Sequence, residues 1–327
     1  MDRLRTIAAR FRDARVAVVG DMIADRYILG RPLKLSREAP VVVMRYEGET
    51  VVPGSAANTV NNLAAIGARV HAVGTLGDDE MGRRVRSLLA EKGADVSGIS
   101  LAPCETVVKT RIMAGDRHTV KQQVVRIDRD NGFAPDPSSR EALGKALLAL
   151  RGKVNVLVVS DYGYGTVDDA ARDAIRGLLD GADLLVDSHD RLHEFPGAWV
   201  VTPNEGEAER ASGIRIGSAA DARRAGRALR DAFRARNVLL TRGNQGMLLL
   251  TPEGEVEIPI SGTDEITDVS GAGDTVVAFM AAARSVGASA EEAARIANVA
   301  AGVVVMKRGT ATCSPEELEQ ALERAGA

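Results

Sequence analysis

DVSGAGDTVVAFMAA, Asp268 to Ala282, sets two glycines and an aspartate directly before an apolar, alanine-rich run. A glycine inside a helix costs roughly 1 kcal/mol relative to alanine, so helix stability does not explain Gly271 and Gly273. If Gly271, Ala272, Gly273 and Asp274 open a helix, the unpaired N–H groups of its first turn point outward, and the helix dipole adds positive potential. Small residues let a ligand approach those groups, giving an anion site suited to a phosphate in transit. Asp274 is then a carboxylate beside the transferring group, able to take the proton of an attacking hydroxyl. Alone, the stretch fits equally well a turn whose Asp stabilises its own helix.

The rest of the chain narrows the choice. Its 327 residues are 45% hydrophobic, 27% charged and 3% aromatic, which suits one large α/β domain or two smaller ones. The net charge of -3 comes from 42 basic and 45 acidic residues that are well mixed. Without a basic block, nucleic acid is not expected as a partner. No run approaches the ~18 apolar residues of a membrane span, and the N-terminus has no uninterrupted apolar segment, so a soluble cytoplasmic protein is expected. Cys104 and Cys313 lack metal-ligand spacing and are too few for a disulfide framework. The histidines (His71, His118, His189, His193) form no metal-ligand cluster; SHDRLHEF, which holds two of them, reads as a polar loop.

Short β-branched runs alternate with Ala/Leu/Arg-rich segments, the rhythm of parallel strands with crossover helices. Strands are predicted at Val16–Gly20, Val70–Leu76, Val156–Ser160, Asp183–Asp187, Trp199–Pro203 and Val238–Arg242. They lack in–out alternation, as strands covered on both faces do. Helices are predicted at Ala56–Ile66, Met81–Lys92, Ser138–Leu150, Asp168–Leu179 and Ala219–Ala235, with two Ala-rich segments after Ala272. Ser314, Pro315 and Glu317 mark the start of a last, capped helix. Two segments break the rhythm. Pro40–Pro53 alternates like an antiparallel strand pair, and Glu105–Asp128 like a hairpin turning at Gly115-Asp116. Insertions at about 25–53 and 105–128 would form a small lid sheet over a site, or an edge extension of the main sheet, within a single domain spanning residues 1–327.

Further motifs follow predicted strands. TRGNQG offers Thr241, Gly243 and Gly246 as a second small-residue cradle for a phosphate or nucleotide. TPNEGE puts Asn204 and Glu207 three apart on an early helical turn, suited to hydrated Mg²⁺ or simply to capping that helix. GDMIADRY and PGSAANTVNNLAAIGA carry Asp25, Gly54, Ser55 and Asn58, where Asp25 and Asn58 suit sugar hydroxyls if they lie at strand or helix ends. The P-loop motif, the Rossmann fingerprint and the protein-kinase, nucleophile-elbow and HExxH motifs are all absent.

Taken together and in order, GDMIADRY, PGSAANTVNNLAAIGA, VVRID, SDYGYG, TPNEGE, TRGNQG and DVSGAGDT resemble the ribokinase-like (PfkB-type) carbohydrate kinases over nearly the whole chain. Within that family LSREAPVVV, SDYGYG and NVAAGVVVMKRGTATCSPEEL most resemble the kinases of D-glycero-β-D-manno-heptose 7-phosphate. The resemblance implies a three-layer α/β/α fold with a central, mostly parallel sheet and an inserted β lid. It implies Asp274 as base, with the Gly271, Ala272, Gly273 and Asp274 amides as anion hole. Asn204 and Glu207 would position Mg²⁺; Thr241, Gly243, Gly246 and Asn298 would border ATP. Asp25, Gly54, Ser55, Asn58 and Asp161 fall on the sugar side, and Lys109, Arg111 and Arg126 would hold a substrate phosphate or simply be solvated hairpin charges. Asp268-Val269 with Lys307–Thr310 resembles a loop for a monovalent cation such as K⁺. The implied partners are ATP, a sugar phosphate and, through the lid, a second copy of the chain.

The pattern departs in two places. Ser55 stands where the family usually has a second glycine, and VDSHDRLHEF replaces an Asp-Pro-Lys-Gly-like stretch, putting Asp190-Arg191 where a Lys is usual. No nucleotidyltransferase half is expected. The alternatives are a related kinase for another sugar, sugar phosphate or nucleoside, and a non-catalytic sensor.

Overall fold

The structure, a computed structural model, describes residues 2–116, 121–130, 132–179, 181–262 and 267–326. His118 lies outside the described residues, as do the other residues of 117–120, just past the predicted Gly115-Asp116 turn. The strands are β1 Arg15–Gly20, β2 Met22–Leu35, β3 Val42–Ser55, β4 Arg69–Gly77, β5 Asp95–Ala102, β6 Val108–Ala114, β7 Gln122–Arg129, β8 Val156–Asp161, β9 Asp183–Ser188, β10 Val200–Val201, β11 Asn237–Thr241, β12 Met247–Leu250 and β13 Glu255–Ile258.

A nine-stranded sheet has the order β13-β12-β11-β10-β9-β8-β1-β4-β5. It is parallel from β11 to β5 and antiparallel where β12 and β13 are added. Adjacent residues of β1 explain the missing alternation. Val16 and Val18 pack into one core with helices Ala56–Ala65, Ala272–Ser285 and Ala290–Val304. Ala17 and Val19 pack into the other with helices Pro137–Leu148, Asp169–Leu178 and Ala219–Phe233. Both faces are covered, so both sets of side chains are apolar. This is the three-layer α/β/α arrangement that the sequence resemblance implies.

A separate four-stranded sheet has the order β3-β2-β6-β7. Here the reading of Pro40–Pro53 as a strand pair is corrected. It contributes the single long strand β3, whose partner is β2, a strand that sequence patterning missed. β2 begins at Met22, straight after β1, so its residues carry the main sheet's C-terminal edge into the small sheet. Trp199–Pro203 forms only the two-residue strand β10, and β5, β12 and β13 were not foreseen. The last helix, Pro315–Gly326, begins as expected: the Ser314 amide donates to Glu317 and the Glu317 amide to Ser314 Oγ.

Candidate active site

Asp274 sits in the first turn of helix Ala272–Ser285, whose N-cap is Gly271 at φ +77°. Its carboxylate is 5% exposed and is gripped from two sides. Asn58 Nδ2 donates to Oδ2 at 2.8 Å, and the Tyr162 hydroxyl donates to Oδ1 at 2.8 Å. Burial pushes the Asp274 pKa up to about 6, although both of these hydrogen bonds favour the ionised form. Its environment is thus set near the range in which a general base works.

On the small-sheet side, Asp25 of β2 lies beside it, 6% exposed. Arg111 of β6 donates to Asp25 Oδ1 at 2.5 Å, and Thr310 Oγ1 donates to Oδ2 at 3.0 Å. Gly54 of β3 packs against this carboxylate, for a Cβ there would meet Asp25 at 2.9 Å. Lys109 of β6 reaches over the rings of Tyr162 and Tyr164, 5.2 and 5.6 Å from their centroids. Burial lowers its pKa from the ordinary lysine range. Arg126 of β7 is more exposed and pairs with Asp128.

Two further sugar-side residues have well-defined surroundings. Asp161 is 1% exposed and fully engaged: the Arg191 guanidinium binds both of its oxygens, Ser188 Oγ donates at 2.9 Å and the Gly163 amide at 3.1 Å. Both oxygens of Asp161 are thus held by protein donors. Its partner is Arg191, from the stretch that departs from the family pattern. Ser55 carries no cap hydrogen bond and takes φ +51°, ψ -129°, a backbone conformation natural to glycine.

On the other side of Asp274 a cavity of about 680 Å³ is lined by Asn204, Thr241, Gly243, Gly246, Gly273 and Asn298. The two glycine-containing motifs therefore face each other across one space. The TRGNQG turn is fixed by a residue that sequence reasoning passed over: Arg242, 8% exposed, donates to Glu205 at 2.9 Å and to Gln245 at 2.6 Å. Asn298 Nδ2 donates to the Pro259 carbonyl at 2.8 Å.

Asn204 and Glu207 form a capping box, each side chain accepting from the other's backbone N–H at 2.9 Å. Glu207 Oε1 lies 3.7 Å from His189. Burial raises the Glu207 pKa; burial together with the nearby Glu207 and Asp274 charges raises that of Asp187 well above the ordinary carboxylate range. Asp187, at the end of β9, is a third carboxylate that motif spacing did not reveal. Among the described residues no cluster of three His, Cys, Asp or Glu forms a direct metal cage. Asp268 joins its segment to the Lys307–Thr310 turn, accepting from the Gly309 and Ser270 amides, each at 2.9 Å. No helix among the described residues is long and apolar enough to cross a membrane.

Residues 13–317 match the pfkB family of carbohydrate kinases. The chain is 41% identical, over 96% of its length, to the bifunctional protein HldE of Azorhizobium caulinodans, and 39% identical over 95% to that of Nitrosococcus oceani. It spans 65% and 64% of those proteins, just under two thirds of the length of the curated relatives it matches. In fold it resembles phosphofructokinase-2 from Escherichia coli in complex with potassium (TM-score 0.82, 20% identity, 96% of this chain and 99% of that one). It also resembles Arabidopsis thaliana ribokinase complexed with ribose and ATP (TM-score 0.74, 19% identity, 95% and 99%). The chain belongs to the pfkB family of carbohydrate kinases and is a phosphotransferase acting on a sugar hydroxyl.

Proposed function

We propose that this pfkB-family kinase transfers the γ-phosphoryl group of ATP to O1 of D-glycero-β-D-manno-heptose 7-phosphate, giving the 1,7-bisphosphate and ADP. The observation that carries the reading is Asp274: a buried, doubly held carboxylate at a glycine-rich helix N-terminus, with a 680 Å³ cavity on one side and the small sheet on the other. The sugar hydroxyl attacks the γ-phosphorus, the bond to the β–γ bridging oxygen breaks, and the proton passes to Asp274. The amides of Gly271, Ala272, Gly273 and Asp274 oppose the charge that develops on the phosphoryl oxygens.

Thr241, Gly243, Gly246 and Asn298 border ATP in this reading. Asn204 and Glu207 would hold waters of Mg²⁺, which when bound with ATP neutralises phosphate charge. The oxygen donors fit a hydrated hard cation, and the raised pKa of Asp187, to which the nearby Glu207 and Asp274 charges contribute beside burial, marks a place where negative charge is crowded. Backbone oxygens near Asp268-Val269 and Lys307–Thr310 would suit a monovalent cation such as K⁺. Asp25, Gly54, Ser55 and Asn58 face the sugar.

The small sheet acts as a lid that excludes water from the transfer. Lys109 suits the substrate's own phosphate, because an anion would relieve its desolvation; Arg111 and Arg126 extend that basic rim. Leu35, Val42, Tyr46 and Ile127 of the same sheet are 69%, 54%, 62% and 54% exposed, which supports pairing of two lids in a homodimer.

ATP-dependent phosphorylation of a sugar and sugar-phosphate panel, with the product position read by NMR, tests the reading. The heptose 7-phosphate should be preferred and phosphorylated at O1. Stronger turnover of bare ribose, fructose or a nucleoside would sink the substrate assignment.

A further inference from the structure

The SDYGYG loop, Ser160 to Gly165, supplies no substrate contact in the reading above, yet side chains from distant segments anchor it. Asp21, 1% exposed and next after β1, accepts three of the backbone N–H groups that follow β8. The amides of Tyr162, Tyr164 and Thr166 donate to its carboxylate at 2.8, 3.1 and 3.1 Å. Arg191 secures the loop from the far side, binding Asp161 and the Val167 carbonyl. Such anchoring leaves the backbone of Tyr162 little freedom. Its ring is packed against His189, with centroids 4.6 Å apart, and beneath Lys109. The only polar atom of that side chain reaches Asp274 Oδ1.

We propose that Tyr162 is a positioning residue for phosphoryl transfer, its hydroxyl holding the Asp274 carboxylate in the orientation and the ionised form that accept the sugar proton. The inference rests on the reading of Asp274 as the base. Asn58 on Oδ2 and Tyr162 on Oδ1 together stop rotation of the carboxylate, and each oxygen keeps a lone pair for the incoming hydroxyl. Tyr162 loses no proton in this account. Burial and the nearby Asp274 charge raise its own pKa well above the ordinary tyrosine range, so it stays a donor. The other charges facing Asp274 are Asp25 from β2, Lys109 from β6 and Asp187 from β9. Asp25 and Asp187 disfavour ionisation while Lys109 favours it, and the Tyr162 hydrogen bond counts on the side of Lys109.

Tyr162→Phe keeps the ring and removes only the donor. With ATP and the panel sugar that the wild type turns over fastest, kcat should fall on the order of ten-fold, the worth of one hydrogen bond to a charged group. The sugar KM should change little, and the acid limb of the kcat–pH profile should move to higher pH. In the free protein, ¹³C NMR of the aspartate carboxyls, with the Asp274 signal assigned from Asp274→Asn, should show the same upward shift. Wild-type kcat and an unmoved Asp274 titration in Tyr162→Phe would overturn the proposal and leave Asp274 as base untouched. Full turnover by Asp274→Asn would instead remove the premise.

Discussion

Asn58 Nδ2 donates to Asp274 Oδ2 at 2.8 Å, joining two helices whose residues lie 216 positions apart. Gly271 makes the joint feasible: it takes φ +77°, and a Cβ there would meet Asn58 Nδ2 at 2.6 Å. Gly271→Ala should therefore lose about 1–2 kcal/mol from the left-handed backbone and lower turnover by displacing Asn58. Gly273 differs, for a Cβ there meets nothing within 4 Å. Gly273→Ala should fold as well or up to about 1 kcal/mol better, while the KM for ATP rises if, as proposed, the methyl stands where a phosphate approaches. Denaturant melts and steady-state kinetics on the pair separate the two roles.

Ser55 adopts φ +51° without a compensating side-chain bond at the helix cap. Ser55→Gly should stabilise the protein by about 1 kcal/mol, the lower end of the cost of such backbone strain. Urea unfolding of the two proteins measures it.

The main sheet was legible because strands covered on both faces must be apolar throughout, as Val16–Gly20 and Val156–Ser160 are. β2 was not, since DRYILGRPLKL mixes Asp25, Arg26 and Arg31 into a strand whose partner is the small sheet rather than a core. The glycine-rich turns and Asp274 could be found by spacing. Tyr162, Asp187 and Arg242 could not, because their roles depend on contacts between distant segments. The surroundings of Asp161 were hidden for the same reason: nothing near it in sequence announces Arg191 as its partner, 30 positions away.

Arg111 and Asp25 have side chains only 12% and 8% exposed. Arg111→Ala leaves Asp25 buried with its cation gone, and breaking a buried pair in this way costs about 3 kcal/mol. The midpoint of thermal unfolding should drop, and kcat/KM should fall as Asp25 reorients towards Thr310. An unchanged melt would show the pair to be solvent-screened.

The Asp274 pKa of about 6 lies above the ordinary 3.8. The folded state thus binds this proton more tightly than the unfolded chain does. Its contribution to stability is full below about 3.8 and is lost as pH rises through 6, a difference on the order of 3 kcal/mol. Asp274→Asn should accordingly be more stable than wild type at pH 8, with the advantage shrinking at pH 5. Chemical denaturation at the two pH values checks the sign.

Turnover of Asp274→Asn, with ATP and the sugar that the wild type phosphorylates best, tests the central claim most directly. Loss of a general base predicts a fall in kcat of about 10²–10⁴-fold in a protein that still folds and binds ATP. Wild-type kcat in that variant would contradict the account.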